Sequence, residues 1–307
     1  MATGLNYSPI HLASTQGLGA FGLHIEEDGG LVSSARMDVG FGRRNIEGIS
    51  LQLPLAQALN YADRLDCFSA PAYNFALATA FESLLGLEVP ERAQFTRLVL
   101  LELNRISSHL HFYANLARVA GQQPLTNHCL REREKFSDIF EMYCGSRLGF
   151  GAISLGGVFA DATDGWFFRI EKAITSLKEF VPDLRGTLLE HPFFTERARG
   201  LGMISKETAE RANLLGPNGR ASGRDGIDER SVRPYSAYPA CAGDAAAIPG
   251  AVTPGIDVQR TQGDVLARSA IRVDEMLGSA SLIENCFRKI PGGNHRIRVG
   301  MDVAPPP

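Results

Sequence analysis

The sequence predicts an α+β fold: a small β-rich N-terminal region feeds a bundle of long helices, the whole forming one structural unit. Two observations carry this. Residues 22 to 38 alternate apolar and polar side chains on either side of Asp28-Gly29-Gly30, the pattern of a β-hairpin. From Pro71 onward, apolar residues recur three or four apart over long stretches, as on buried helix faces. A chain of 307 residues can bury a large core, and 44% hydrophobic with 21% charged residues is ordinary for a globular protein.

The elements follow in order. Residues 1–50 form the β-rich part, 51–200 the helical core, and 201–307 an irregular wrapping segment that ends in a last helix. The stretch "STQGLGAFG" contains Gly17, Gly19 and Gly22, a literal G-x-G-x-x-G. A dinucleotide loop needs a strand before these glycines and a helix after them, so that helix N–H groups meet the pyrophosphate. Here "NYSPIHLAST" precedes them and the hairpin follows, so the context is wrong for that motif. "PAYNFALATAFESLLG" reads as a helix opened by Pro71 and stopped at Gly86. A long core helix then runs from Pro90 to Gly121, with Phe95, Leu98, Val99, Ile106, Leu110, Tyr113 and Leu116 at helical spacing. A third is expected from Leu130 to Arg147, and a fourth from Asp164 to about Leu189 with an interruption near Pro182. Residues 216–263 read as irregular, rich in Gly, Pro and Ala; the last helix spans Asp264 to Arg288.

Composition excludes several classes. The net charge is −3 with no Lys/Arg-rich run, which argues against a nucleic-acid partner. No apolar stretch approaches the ~18 residues that span a bilayer, and the first residues lack an export signal pattern. Any membrane role must therefore come through partner subunits. The five cysteines (Cys67, Cys129, Cys144, Cys241 and Cys286) include no C-x-x-C pair, which fits reduced thiols in the cytosol rather than a self-contained zinc or iron–sulfur site. His109 and His111 lie two apart on the long helix and face different ways, so core or interface roles are expected. Glu82, Glu91 and Glu102 flank helical arginines and are expected as ion pairs on a solvated face. No Ser–His–Asp set or G-x-S-x-G marks a hydrolase.

Longer motifs then carry a resemblance. "LNYADRLDCFSAPAYNFALATAFESLLGLEVPERAQFTRLVLLELNRISSHL", "LREREKFSDIFEMYCGSRLG", "LGGVFAD", "FTERARGLG", "GPNGRASG", "RPYSAY" and "GDVLARSAIRVDEM" occur in the order found in the D-type subunits of respiratory complex I, which this chain resembles. "IHLASTQG" and "GFGRRNIEG", the latter holding Arg44 and Glu47, also stand at matching places, so the resemblance covers nearly the whole chain. It implies a fold like the large subunit of nickel–iron hydrogenases, and a peripheral subunit on the cytoplasmic side of a membrane complex. The implied partners are an iron–sulfur subunit, other peripheral-arm and membrane subunits, and a quinone. No cofactor is expected on this chain: the iron–sulfur cluster is the neighbour's, and NADH is oxidised on a different subunit. Gly17, Gly19 and Gly22 become turn and packing glycines of the N-terminal hairpin, whose tip reaches the quinone cavity in the family.

The same resemblance exposes departures. The first hydrogenase cysteine pair would fall at Asp66 and Ser69, so thiolate-bound nickel and iron are excluded on ligand chemistry. The family's quinone-contacting histidine is Gln16 here, its tyrosine is Cys67, and the aspartate that pairs with the histidine is Val119. The histidine near the terminal cluster is Gly149, and an expected arginine is Ser154; only the cluster-facing Arg64 remains of this group. Quinone reduction needs protons at the head group. Glutamine hydrogen-bonds but does not titrate, and a thiol is a weak donor. The resemblance therefore implies a kept scaffold with a rewritten head-group site. A redox-silent structural paralogue in a hydrogenase-related, energy-converting membrane complex is the alternative. The family also continues well past the position of "APPP", so a truncated, split or fragmentary chain is expected.

Overall fold

The computed structural model describes residues 6–8, 22–224, 230, 234–242 and 259–299. Strands β1 (Asn6–Ser8), β2 (Gly22–Asp28) and β3 (Leu31–Asp38) form an antiparallel sheet in that order. Leu23 pairs with Met37 and Ile25 with Ala35, and a bulge falls between Glu26 and Glu27. The predicted hairpin is present, turned at Gly29 and Gly30 with φ 58° and 85°, angles that only glycine adopts cheaply. Gln16, Gly17 and Gly19 lie outside the described residues.

Two short helices follow, α1 (Ile46–Ser50) and α2 (Leu55–Ala62). The bundle consists of α3 (Ala70–Leu85), α4 (Glu91–Val119), α5 (Gln123–Cys144) and α6 (Asp164–Leu184), closed by α11 (Val265–Lys289). Between α6 and α11 lie α7 (Pro192–Ala198), α8 (Lys206–Arg211), α9 (Gly216–Ala221) and α10 (Tyr238–Ala242). A two-stranded ribbon, β4 (Ile153–Ser154) with β5 (Gly157–Val158), caps the bundle beside α3 and α4.

Helix α4 is the axis of the molecule. It packs on α3, α5 and α11, and every residue from Phe95 to Asn104 is buried. A helix buried on all sides has no solvated face, which corrects the expectation for Glu82 and Glu102: both are buried and only Glu91 is exposed. Helix α5 starts seven residues before the predicted Leu130, because Pro124 opens it and Leu125, Thr126 and Cys129 are buried on α4. It stops at Gly145, before Arg147. The interruption expected near Pro182 falls three residues beyond it. Helix α6 runs through that proline, and the departure comes just after it as a π-helical turn, Arg185–Leu189. Proline removes one backbone bond without ending the helix, because Phe180, Leu184, Leu188 and Leu189 stay anchored in the core. The segment read as irregular contributes α9 and α10, both packed on α11.

Candidate functional site

The turn Asp63–Ser69, between α2 and α3, is held from three directions. Asp63 is buried; it accepts from Asn74 Nδ2 of α3 at 2.7 Å and from the Gly151 amide at 2.7 Å. Burial raises the Asp63 pKa, although those two donors and Arg64 oppose it. Asp66 Oδ1 accepts the Phe68 amide at 2.9 Å, a local turn bond that fixes the loop's curvature. Asn104 Nδ2 of α4 donates to the Phe68 carbonyl at 3.0 Å.

This clamp sets the side chains that the sequence singled out. The Arg64 guanidinium lies over the Phe150 ring, 3.7 Å from its centroid, and Arg44 donates to the Arg64 carbonyl. Cys67 is half-buried, and on α5 burial pushes down the pKa of the Arg133 guanidinium. Arg133 stands 5.6 Å from the Phe68 ring centroid. His111 of α4 stacks on the same ring, with centroids 4.0 Å apart and planes 13° from parallel. Asn115, one turn along, is 3.0 Å from His111 Nε2. His111, Asn115 and Val119 are spaced four apart and share one face of α4. Val119 ends that stripe, 69% exposed, about 12 Å along the helix from His111 at 1.5 Å per residue.

Gly149, in the loop after α5, packs against the start of α3. Its φ is +75°, and a Cβ there would meet Pro71 Cγ at 2.9 Å and Phe140 Cδ1 at 3.0 Å. The loop is fixed from below by a buried ion pair. Arg97 donates to Glu82 Oε2 at 2.8 Å, to the Ser154 carbonyl at 2.9 Å and to the Gly157 carbonyl at 3.0 Å, while Glu82 Oε1 accepts the Gly156 amide at 2.7 Å. On the outer side of this loop a cavity of about 900 Å³ is lined by Asn60, Gly151, Ser154, Phe159, Arg296 and Arg298.

The fold thus brings Arg44, Arg64, Asp66, Cys67 and Gly149 together. It leaves Val119 at the far end of the α4 stripe, and Glu47 exposed in the first turn of α1. His109 points away from the turn, with Nε2 2.7 Å from Glu275 of α11. Sequence reading missed Phe68, Arg133, His111 and Asn115; only the four-residue spacing from His111 to Val119 hinted at a polar stripe.

A second polar group lies between α4 and α11. Glu102, fully buried, accepts from the Tyr238 and Ser279 hydroxyls and pairs with Arg230 at 3.4 Å and Arg105 at 3.2 Å. Burial opposes its ionisation, but the two guanidinium groups and two hydroxyls outweigh it and the pKa is lowered. Glu275 behaves alike: burial is overcome by His109 and by Arg220, whose Nε donates at 3.0 Å, and the carboxyl stays ionised. Burial pushes the His109 pKa down, so the neutral imidazole donates Nε2–H to Glu275.

These residues do not fit a thiolate-held nickel–iron centre. Asp66 is spent on its own turn and Ser69 sits at the start of α3, so neither offers a soft ligand. Among the described residues no three His, Cys, Asp or Glu side chains gather as a metal site, and no helix is long and apolar enough to cross a membrane.

Comparison with known proteins fits this geometry. The family described as "Respiratory-chain NADH dehydrogenase, 49 Kd subunit" matches residues 120–307. The second of the D-type subunits of NADH-quinone oxidoreductase in Rhizobium etli is 35% identical over 293 residues, covering 95% of this chain and 69% of the relative. The corresponding D-type subunit of Bacillus cereus is 33% identical over 289 residues, covering 94% of this chain and 74% of the relative. Among solved structures, a chain of the membrane-bound sulfane sulfur reductase, an archaeal respiratory membrane complex, superposes with a TM-score of 0.84 at 26% identity. That match covers 97% of this chain and 76% of the other.

Proposed function

The chain belongs to the 49 kDa subunit family of respiratory-chain NADH dehydrogenase, and from that premise we propose that it is a peripheral-arm subunit that forms one wall of a quinone cavity. The observation that carries this reading is the clamped Asp63–Ser69 turn, which carries Asp66 and Cys67 and is held against the loop after α5 by Asp63 at Gly151 and Arg64 at Phe150. In this reading an iron–sulfur partner docks on the Arg64–Phe150 side, and the cavity beside Ser154 and Arg296 gives it room. The complex lies on the cytoplasmic face of the membrane, and NADH is oxidised elsewhere in it.

Electrons reach the quinone from the neighbour's cluster; this chain's residues position and hydrogen-bond. Arg64 presents a fixed cation, pinned over Phe150, where cluster and head group gain negative charge. Cys67, Gln16 and Val119 replace the family's titrating set, so the pocket keeps its shape and loses those proton donors.

Purification of the tagged protein from its own membranes tests the reading. Recovery with an iron–sulfur subunit and membrane subunits, and NADH-dependent quinone reduction, is the expected result. Arg64→Ala should alter the cluster's electron paramagnetic resonance spectrum; an unaltered spectrum removes Arg64 from the cluster. The likeness to a sulfane sulfur reductase chain favours a second reading, a subunit of a related membrane complex that passes no electrons to quinone. Recovery of the same partners without quinone reduction would select it.

A further inference from the structure

Within the partner reading just given, on which this inference rests, we infer that the cavity beside β4 and β5 seats a carboxylate-bearing segment of the iron–sulfur subunit, gripped by Arg296 and Arg298. Both arginines border the cavity with His295, Asn60 and Asn294, and among the described residues no Asp or Glu lines it. Neither guanidinium has an ion pair or hydrogen bond among the described residues, whereas Arg92 is paired with Asp161 and Arg97 with Glu82. Two unpaired cations in one hollow repel each other and attract an anion.

The backbone holds the pair in place. The Val158 amide donates to the His295 carbonyl at 3.1 Å and the Ile297 amide to the Gly156 carbonyl at 3.0 Å, so residues 295–297 lie along the ribbon, with Arg296 bridged to Gly157. Glycine is needed there, since a Cβ on Gly157 would collide with the His295 carbonyl and stand 2.5 Å from Arg296 Cα. At strand spacing, alternate residues share a side, which sets positions 296 and 298 together about 7 Å apart. Ile297 turns to the ribbon, its Cγ1 2.5 Å from where a Cβ on Gly156 would lie.

The walls select the occupant. Leu59, Ile153 and Phe159 give the cavity apolar surface beside its cations. Its volume of about 900 Å³ is far more than a free phosphate fills, and a peptide segment brings carboxylates and apolar side chains together. Arginine forks take carboxylates in bidentate fashion, and arginine is enriched at protein interfaces. Ser154 Oγ, also on the wall, is buried without a hydrogen-bond partner among the described residues and offers one more donor. Gly151 carries the surface on to the clamped turn, because it lines the cavity while its amide donates to Asp63. The contact is thus continuous with the Arg64–Phe150 face on which the partner docks in the reading above.

The test uses the tagged full chain purified with its partners from its own membranes. Arg296→Glu with Arg298→Glu should lower the iron–sulfur subunit recovered per chain by at least about tenfold. Arg211→Glu with Arg288→Glu, the same charge change at two other exposed arginines, should leave recovery as in the wild type. Arg296→Lys with Arg298→Lys keeps the charge and supplies amines. A carbodiimide, which joins an amine to a carboxylate only where the two touch, should then link position 296 or 298 to an Asp or Glu of the iron–sulfur subunit, read by mass spectrometry of the peptides. Unchanged recovery in the charge-reversed variant overturns the assignment, and so does an equal loss in the control pair. A link to a membrane subunit, to a second copy or within this chain overturns it as well, and the absence of any link does so even if the charge-reversed variant fails to fold. A wild-type preparation with no iron–sulfur subunit overturns the partner reading itself, and this contact falls with it.

Discussion

Gly149→Ala tests how firmly the loop after α5 is built into the fold. Gly149 holds φ +75°, and an added Cβ would sit 2.9 Å from Pro71 Cγ and 3.0 Å from Phe140 Cδ1. Gly145, four residues earlier, holds φ +73° with nothing within 4 Å of its Cβ position. The pair separates two costs. The left-handed backbone penalises an L side chain by about 1–2 kcal/mol at either place. At Gly149 alone the methyl must also push back a proline ring and a core phenylalanine, which adds about 1–3 kcal/mol of overpacking. Gly145→Ala should therefore cost about 1–2 kcal/mol and Gly149→Ala about 2–5 kcal/mol. The assay is urea denaturation followed by tryptophan fluorescence, comparing midpoints at constant m. Its reporter, Trp166, is buried against Tyr143 on the same α5 that carries Phe140. Equal costs at the two positions would refute the packing account. Gly149→His should be worse than alanine, because the larger group needs the same space.

Other expectations follow from the buried charges. Glu102→Ala removes the buried carboxylate shared by Arg105, Arg230, Tyr238 and Ser279 and should cost about 3–5 kcal/mol; a loss below about 1 kcal/mol would show that these groups are satisfied without it. The pH dependence has two steps. His109 is depressed below its ordinary 6.5, so its contribution is complete above that value and is lost as pH falls through the folded value. Glu102 and Glu275 are depressed below 4.5, and their share is complete above 4.5 and lost at more acid pH. Denaturation midpoints should hold steady above pH 6.5 and then fall twice. His109→Gln should remove the upper step, and a midpoint that rises on acidification would contradict the assignment of the neutral, donating imidazole.

The order of the elements was legible in the sequence because local chemistry writes it. Asp28-Gly29-Gly30 turns the hairpin, Pro71 and Gly86 bracket α3, and Asp264 caps α11 by accepting the Ala267 amide at 2.7 Å. The long motifs also sufficed to reveal the family, and the sequence itself shows that Gln16 and Val119 carry no titrating group. Local pattern misled where tertiary packing overrode it. Pro182 reads as an interruption, yet the core holds α6 through it and the π-helical turn comes only at Arg185; Glu102 reads as an ion pair on a solvated face, yet α11 and Tyr238 close over it. The site itself belongs to tertiary structure. His111 and Phe68 stand 43 positions apart, and Arg133 comes from another helix again; their approach depends on α4 crossing beneath the turn while α5 folds back along it. Periodicity tells which side of a helix is buried. It cannot tell which distant ring lies on that side, because stacking, burial and charge pairing are set by the packing of whole helices.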